Sequence, residues 1–212
     1  MNDAIEFLKK RRSIYAIGKN IELNNEEITE LIEGAVKNSP TAFNSQTVRA
    51  VITFGESSER VWDVVLDELR KVVKDDDAFL KTKEKIATFK VGLGTVLYFT
   101  ETATVKKLEK DFPRYADNFA DWAEQGIGGA QQAVWEEQGI GGAQQAVWEV
   151  LAANGLGASL QHYNPLIDDA IRQQFDLPES WRLRAEMPFG SIEAPAGDKE
   201  FLEDDVRFKV FD

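Results

Sequence analysis

The chain has 212 residues, with 25 Lys plus Arg against 37 Asp plus Glu, a formal net charge of −12 and a pI near 4.7. That acidity argues against nucleic acid as a main partner, because a phosphate backbone needs a basic footprint, but leaves room for a local basic pocket for one small phosphate ligand. With no cysteine and one histidine, His162, the chain has no disulfide, thiolate metal centre or cysteine nucleophile, and a histidine-based zinc site is disfavoured.

A hydrophobic content of 43% is ordinary for a globular protein, and the length suits a single domain over 1–212, or two small ones. No apolar run approaches the ~20 residues of a transmembrane helix, and the start, MNDAIEFLKKRRS, has no apolar signal core. The expectation is a cytoplasmic protein with no membrane partner.

Residues 3–12 read as a short helix with Lys9, Lys10, Arg11 and Arg12 at its end, where cations suit the helix dipole. Asn24 or Asn25 caps the next helix. Ile28, Leu31, Ile32, Ala35 and Val36 fall on one face of it, and it ends before Pro40. VRAVITF at 48–54 reads as a strand, 57–73 as a helix that KDDD breaks, and TVLYF at 95–99 as a strand buried on both faces. Residues 103–122 read as helix, turn and helix, 143–154 as a helix closed by Gly155, and 165–175 as a helix with Pro165 in its first turn. A strand at 182–187 follows, then an irregular tail from Gly190 whose last residues, VRFKVF, alternate. Strands interleaved with helices predict an α/β or α+β sandwich.

EQGIGGAQQAVWE occupies 124–136 and again, letter for letter, 137–149. A 13-residue helical insert adds about 20 Å and turns the following face by roughly 140°. It would also bring Gly139, Gly141 and Gly142 into a helix, each unfavourable by up to ~1 kcal/mol against Ala. The expectation is that both copies do not lie in line in one undisturbed helix. Either one copy loops away, or one segment has been written twice in a chain of 199 residues, and the second account is favoured.

Four segments could carry chemistry. Arg11-Arg12-Ser13 either finishes a helix or clamps an anion, since arginine forks bind phosphate oxygens in pairs. Ser39 to Gln46, SPTAFNSQ, is either a turn or a polar loop whose Asn and Gln offer donor and acceptor to a flat heterocycle. GLGASLQHYNP at 155–165 has glycines that admit close backbone approach, but a GxG alone is weak evidence for a nucleotide. Lys199, Arg207 and Lys209 stand in an acidic tail, either solvated or turned to the same phosphate. Taken singly, each segment is accounted for without a ligand.

Their order resembles the nitroreductase family: RRS after a first helix, SPTAFNSQ before the first strand, then TVLYF, then GLGASLQHYNP after a Trp-containing helix. Within that family it is most similar to the small branch of yeast and lactic-acid-bacterial nitroreductases with RRSIY, SPxAFNSQ and LQHYNP motifs. The resemblance covers nearly the whole chain. It implies an α+β flavin sandwich, a central, mostly antiparallel sheet flanked by helices, in an intertwined homodimer whose extension at 190–212 wraps the partner subunit. It implies FMN at a site built from both subunits. Arg11, Arg12 and Ser13 would meet the FMN phosphate and ribityl chain. Pro40, Thr41, Asn44 and Gln46 would come from the other subunit. Gln161 and His162 would bring backbone amides to flavin N5 and O4, and Lys199 or Arg207 would be the tail cation. The implied activity is ping-pong hydride transfer from NADH or NADPH to a small nitroaromatic or quinone-type acceptor, with no catalytic side chain. The alternative is a flavin-binding stress-response or regulatory protein with little turnover.

Overall fold

The computed structural model describes residues 3–111 and 130–211. In chain order the described elements are α1 (Asp3–Lys10), β1 (Ile17–Gly18), α2 (Asn25–Asn38), a 3-10 turn (Ala42–Asn44), β2 (Val48–Phe54), α3 (Gly55–Val72) and α4 (Asp76–Lys90). They continue with β3 (Gly94–Glu101), α5 (Thr102–Asp111), α6 (Ala130–Ala153), β4 (Leu156–Ala158), α7 (Asp168–Gln174), β5 (Trp181–Ile192) and α8 (Asp204–Arg207).

The strands form one antiparallel sheet in which β5 pairs with β1, β3 and β4, and β3 also pairs with β2. Ser191 of β5 pairs with Gly18 on one edge and Leu156 on the other, so β1 and β4 lie on opposite edges of β5. β3 lies between β2 and β5, and seven of its eight residues are buried, as its apolar run predicts. Successive side chains of a strand point to opposite faces, so β3 feeds two cores. Val96 and Tyr98 join Ile28 and Ile32 of α2, Val147 and Leu151 of α6, and Ala185 and Met187 of β5. Leu97 and Phe99 join Val61, Trp62 and Val65 of α3, Ile86 and Phe89 of α4, and Ile171 of α7. Helices thus cover both faces, and the flavin-sandwich architecture expected from the motifs is the one observed.

Local chemistry explains most boundaries. Asn24 rather than Asn25 caps α2: its Oδ1 accepts from Glu26 N at 2.9 Å and Glu27 N at 3.0 Å, while Asn24 N donates to Glu27 Oε2 at 2.8 Å. KDDD does not simply break α3. Asp75 in that run starts α4, accepting from Ala78 N at 2.7 Å, with Asp76 and Asp77 in the first turn. β5 runs past the expected end at 187, because Pro188 lacks only a donor and its carbonyl still accepts from Ser159 N at 3.3 Å. Of the helix, turn and helix expected at 103–122, α5 ends at Asp111, and the remainder lies outside the described residues.

Of the repeat, the described part, from Ala130 on, lies in one helix. α6 is one helix from Ala130 to Ala153, and it runs through Gly139, Gly141 and Gly142. Residues 124–129 of the first copy lie outside the described residues. In the second copy and the turn after it, Ile140, Ala143, Gln144, Val147 and Leu151 form a buried stripe. Burying one large aliphatic side chain stabilises by about 1.5–3 kcal/mol, so three such residues outweigh three glycines. The second copy leads through the end of α6 into β4. Deleting either copy gives the same 199-residue sequence. That chain is expected to keep its melting temperature within a few degrees by calorimetry, the effect of about 1 kcal/mol or less. Loss of cooperative unfolding would show that the extra residues carry the fold.

Candidate functional site

α1 stops at Lys10, so Arg11 and Arg12 leave the helix and enter the segment that leads to β1. Ser13 bridges Ala158 in parallel, and Ile14 N donates to Ala158 O at 2.9 Å. Trp148 Nε1 donates to the same carbonyl at 3.1 Å. Over its ring lies the Arg11 guanidinium, with Cζ 4.7 Å from the centroid, a cation–π contact that fixes the arginine. Arg11 Nε is buried and has no partner among the described residues. Arg12 Nη2 donates to Gly197 O at 2.7 Å and ties this segment to the tail.

Between segment and tail lies a cleft of about 510 Å3, lined by Arg11, Arg12, Ser13, Tyr15, Gly197 and Lys199 among others. Three cations, a hydroxyl and an unmet buried N–H are a donor set for a phosphate. Lys199 lines this cleft; Arg207 lies in α8, with its guanidinium 5.2 Å from the Phe208 ring, and does not line the cleft of its own chain.

The second candidate edge is the turn after β4. Gln161 forms an antiparallel bridge with Glu186, donating to Glu186 O at 2.8 Å and accepting from Glu186 N at 3.0 Å. Its side chain donates to Ser159 Oγ at 3.1 Å. The expectation that both Gln161 and His162 offer amides is therefore corrected: the Gln161 amide is spent on the sheet. The His162 amide has no partner among the described residues. Tyr163 N donates to Glu186 Oε2 at 3.1 Å.

Glu186 has no exposed surface, and its Oε1 is buried without a partner. Burial pushes its carboxyl up to about 8, with the Tyr163 amide opposing and the charge of Asp168 adding. Burial likewise pushes the Tyr163 hydroxyl up to about 12. The sequence reading did not single out Glu186. The available signal was a lone acid between Ala185 and Met187 in an otherwise apolar run.

Pro40, Thr41, Asn44 and Gln46 occupy a third region. Phe43, Asn44 and Gln46 have φ of 54°, 53° and 51°, the left-handed region that costs a side chain energy. Asn44 N donates to Thr41 O at 3.0 Å and Gln46 N to Thr41 Oγ1 at 2.9 Å, so Thr41 holds the loop. Pro40 and Thr41 lie beside Gly139 of α6. None of the four lines the Arg11 cleft of its own chain.

Comparison with known proteins shows the family. The family model described as "Nitroreductase family" matches residues 8–191. The chain belongs to the nitroreductase family. It is similar to nitroreductase CinD from Lactococcus lactis, solved in complex with 4-nitrophenol and with chloramphenicol. With the 4-nitrophenol complex it shares 44% identity over 99% of this chain and 100% of that one, at a TM-score of 0.84. It is also 34% identical to HBN1 of Saccharomyces cerevisiae over 95% of this chain and 94% of the yeast one. A protein from Exiguobacterium sibiricum in complex with FMN has the same fold, with a TM-score of 0.68 and 13% identity over 99% of this chain and 98% of that one. The yeast and lactic-acid-bacterial branch is thus the one to which this nitroreductase is similar. No helix among its described residues is long and apolar enough to cross a membrane.

Proposed function

We propose that the protein is an FMN-dependent NAD(P)H oxidoreductase that reduces nitroaromatic or quinone-type acceptors, working as a cytoplasmic homodimer. The observation that carries this reading is the unmet Nε–H of Arg11 beside a cleft where Arg12, Ser13 and Lys199 converge. A buried donor without a partner costs about 1–3 kcal/mol, which a ligand oxygen would recover. A chain of net charge −12 that gathers cations in one cleft is suited there to a dianionic phosphate.

Bound there, FMN supplies the hydride chemistry between nicotinamide and acceptor. The chain's own residues bind and orient. Arg11 and Arg12 would fork onto the phosphate, Lys199 would add charge and Ser13 a hydroxyl donor. His162 N would donate at the ring edge. That CinD binds 4-nitrophenol and chloramphenicol supports a nitroaromatic acceptor. A shared site is supported by Pro40, Thr41, Asn44 and Gln46, which do not line their own chain's cleft and would serve a second copy's. Phe201, Leu202, Val206, Phe208, Val210 and Phe211 are 57% to 89% exposed, which supports a tail laid on a partner.

The purified protein is expected to be yellow, to hold one FMN per chain and to bleach with NADH or NADPH. Arg11→Ala should weaken FMN by about 10- to 150-fold, since a charge-assisted contact is worth ~1.5–3 kcal/mol. Fluorescence titration of the FMN-free protein measures this, and unchanged affinity refutes the assignment. Light scattering on the same samples should give dimers, and a monomer that retains FMN refutes the shared site.

A further inference from the structure

Glu186 holds both amides that flank His162. Its main-chain oxygen takes Gln161 N at 2.8 Å, and its carboxyl Oε2 takes Tyr163 N at 3.1 Å. The amide between them is the one left for a ligand. Opposite Glu186 on β3 stands Leu97, and the layer it enters holds Trp62, Phe99 and Ile167. Oε1 faces this layer with no partner, although an uncompensated buried carboxylate is costly. Holding Tyr163 N requires only a carbonyl-type oxygen, which glutamine also has. An ionisable group here is more than the turn needs.

We propose that Glu186 is a positioning residue for the flavin edge: it aims the His162 amide at the ring and couples reduction of the ring to protonation of its own carboxyl. This rests on the FMN reading above. Reduction by an external two-electron donor brings two electrons and one proton to the ring, which gains one negative charge. Where Glu186 is ionised, that charge raises its proton affinity, and a second proton passes from solvent to the carboxylate. No other bond forms or breaks.

The surroundings suit this role. Facing the carboxyl are the Tyr163 hydroxyl-bearing side chain in the turn and Asp168 at the start of α7; Arg182 and Arg184 of β5 act on Asp168. α3 and α4 present Val61, Trp62, Ile86 and Phe89 to this layer, none of them charged. On β3, Tyr98 points to the other core, its hydroxyl donating to Met187 Sδ at 3.6 Å. Burial holds Glu186 neutral up to about pH 8, so its ionisation falls within a range where the protein can be studied.

The test is the midpoint potential of protein-bound FMN as a function of pH, from about 6 to 9.5, in the wild type and in Glu186→Gln. Just above pH 8 the wild-type potential should fall more steeply than the variant's, by the slope of one additional proton. Proton uptake on dithionite reduction of the wild type should rise over the same range, a measurement that needs no variant. A purely structural role would change the melting temperature and leave the slope alone. Equal slopes in two proteins that both hold FMN overturn this inference and leave the FMN reading intact. A wild type that takes up no FMN overturns both.

Discussion

Between pH 5 and pH 8 the FMN-free wild-type protein is expected to lose stability steadily, and Glu186→Gln is expected not to. In the unfolded chain Glu186 ionises near 4.5, whereas burial raises it to about 8 in the folded protein. Between those values the unfolded state has released a proton that the folded state keeps. Unfolding is then favoured as pH rises, and stability falls until both states are ionised. The full window corresponds to a loss on the order of 3–5 kcal/mol. Glutamine keeps an oxygen for Tyr163 N and has nothing to titrate. Its stability relative to wild type should therefore improve across the window, whatever the two proteins' order at pH 5. Urea unfolding at pH 5, 6.5 and 8 measures this. A wild-type curve that is flat, or a variant curve that falls in parallel, would show that the carboxyl is not held neutral.

Gly190→Ala is expected to cost at least about 3 kcal/mol and to open the cleft. The reason is steric. An added Cβ would stand 2.1 Å from Gly18 O and 3.0 Å from Leu93 N, both backbone atoms that cannot swing aside. β1 would have to leave β5, breaking the Ile17–Ile192 and Gly18–Ser191 pairs and exposing Ile17, now only 3% accessible. Its burial alone is worth about 1.5–3 kcal/mol. Tyr15 and Ala16, which line the cleft, directly precede β1 and would move with it. In a chain of this size the melting temperature should drop by roughly 6–12 °C, and phosphate ligands should bind more weakly. Gly34→Ala is the control, since its Cβ meets nothing within 4 Å and lies inside α2. It should be neutral or stabilising by up to ~1 kcal/mol. A Gly190→Ala protein that melts with the wild type would mean that the close strand approach is absent.

The parts of this fold legible in the sequence were those whose signal is local. The apolar face of α2 and the run TVLYF stated their own burial, and RRS pointed to a segment that lines the cleft. α4 was missed because KDDD serves two purposes at once, ending one helix and capping the next. β1 and β4 are two and three residues long, too short for any periodicity, and exist only because β5 offers an edge to pair with. Glu186 was missed for a related reason. An acid in a strand reads as a solvent-facing position until it is known that β5 has neighbours on both edges and helices on both faces. The Gln161 amide was misassigned because its use by Glu186 depends on a pairing 25 residues away in sequence.

Arg12 and Gly197, which close the cleft, are separated by 185 positions in the chain. At usual rates of synthesis, about 5–20 residues per second, the arginine waits roughly 10–40 s before the backbone oxygen it binds has been made. By then both helical layers and every other strand have been available to assemble. Contacts of such long range close late in folding, because the entropy of joining distant segments is met only once the intervening chain is ordered. Capture of an anion in this cleft is therefore an event of the completed sheet, and the ligand cannot be the template on which the sheet is built.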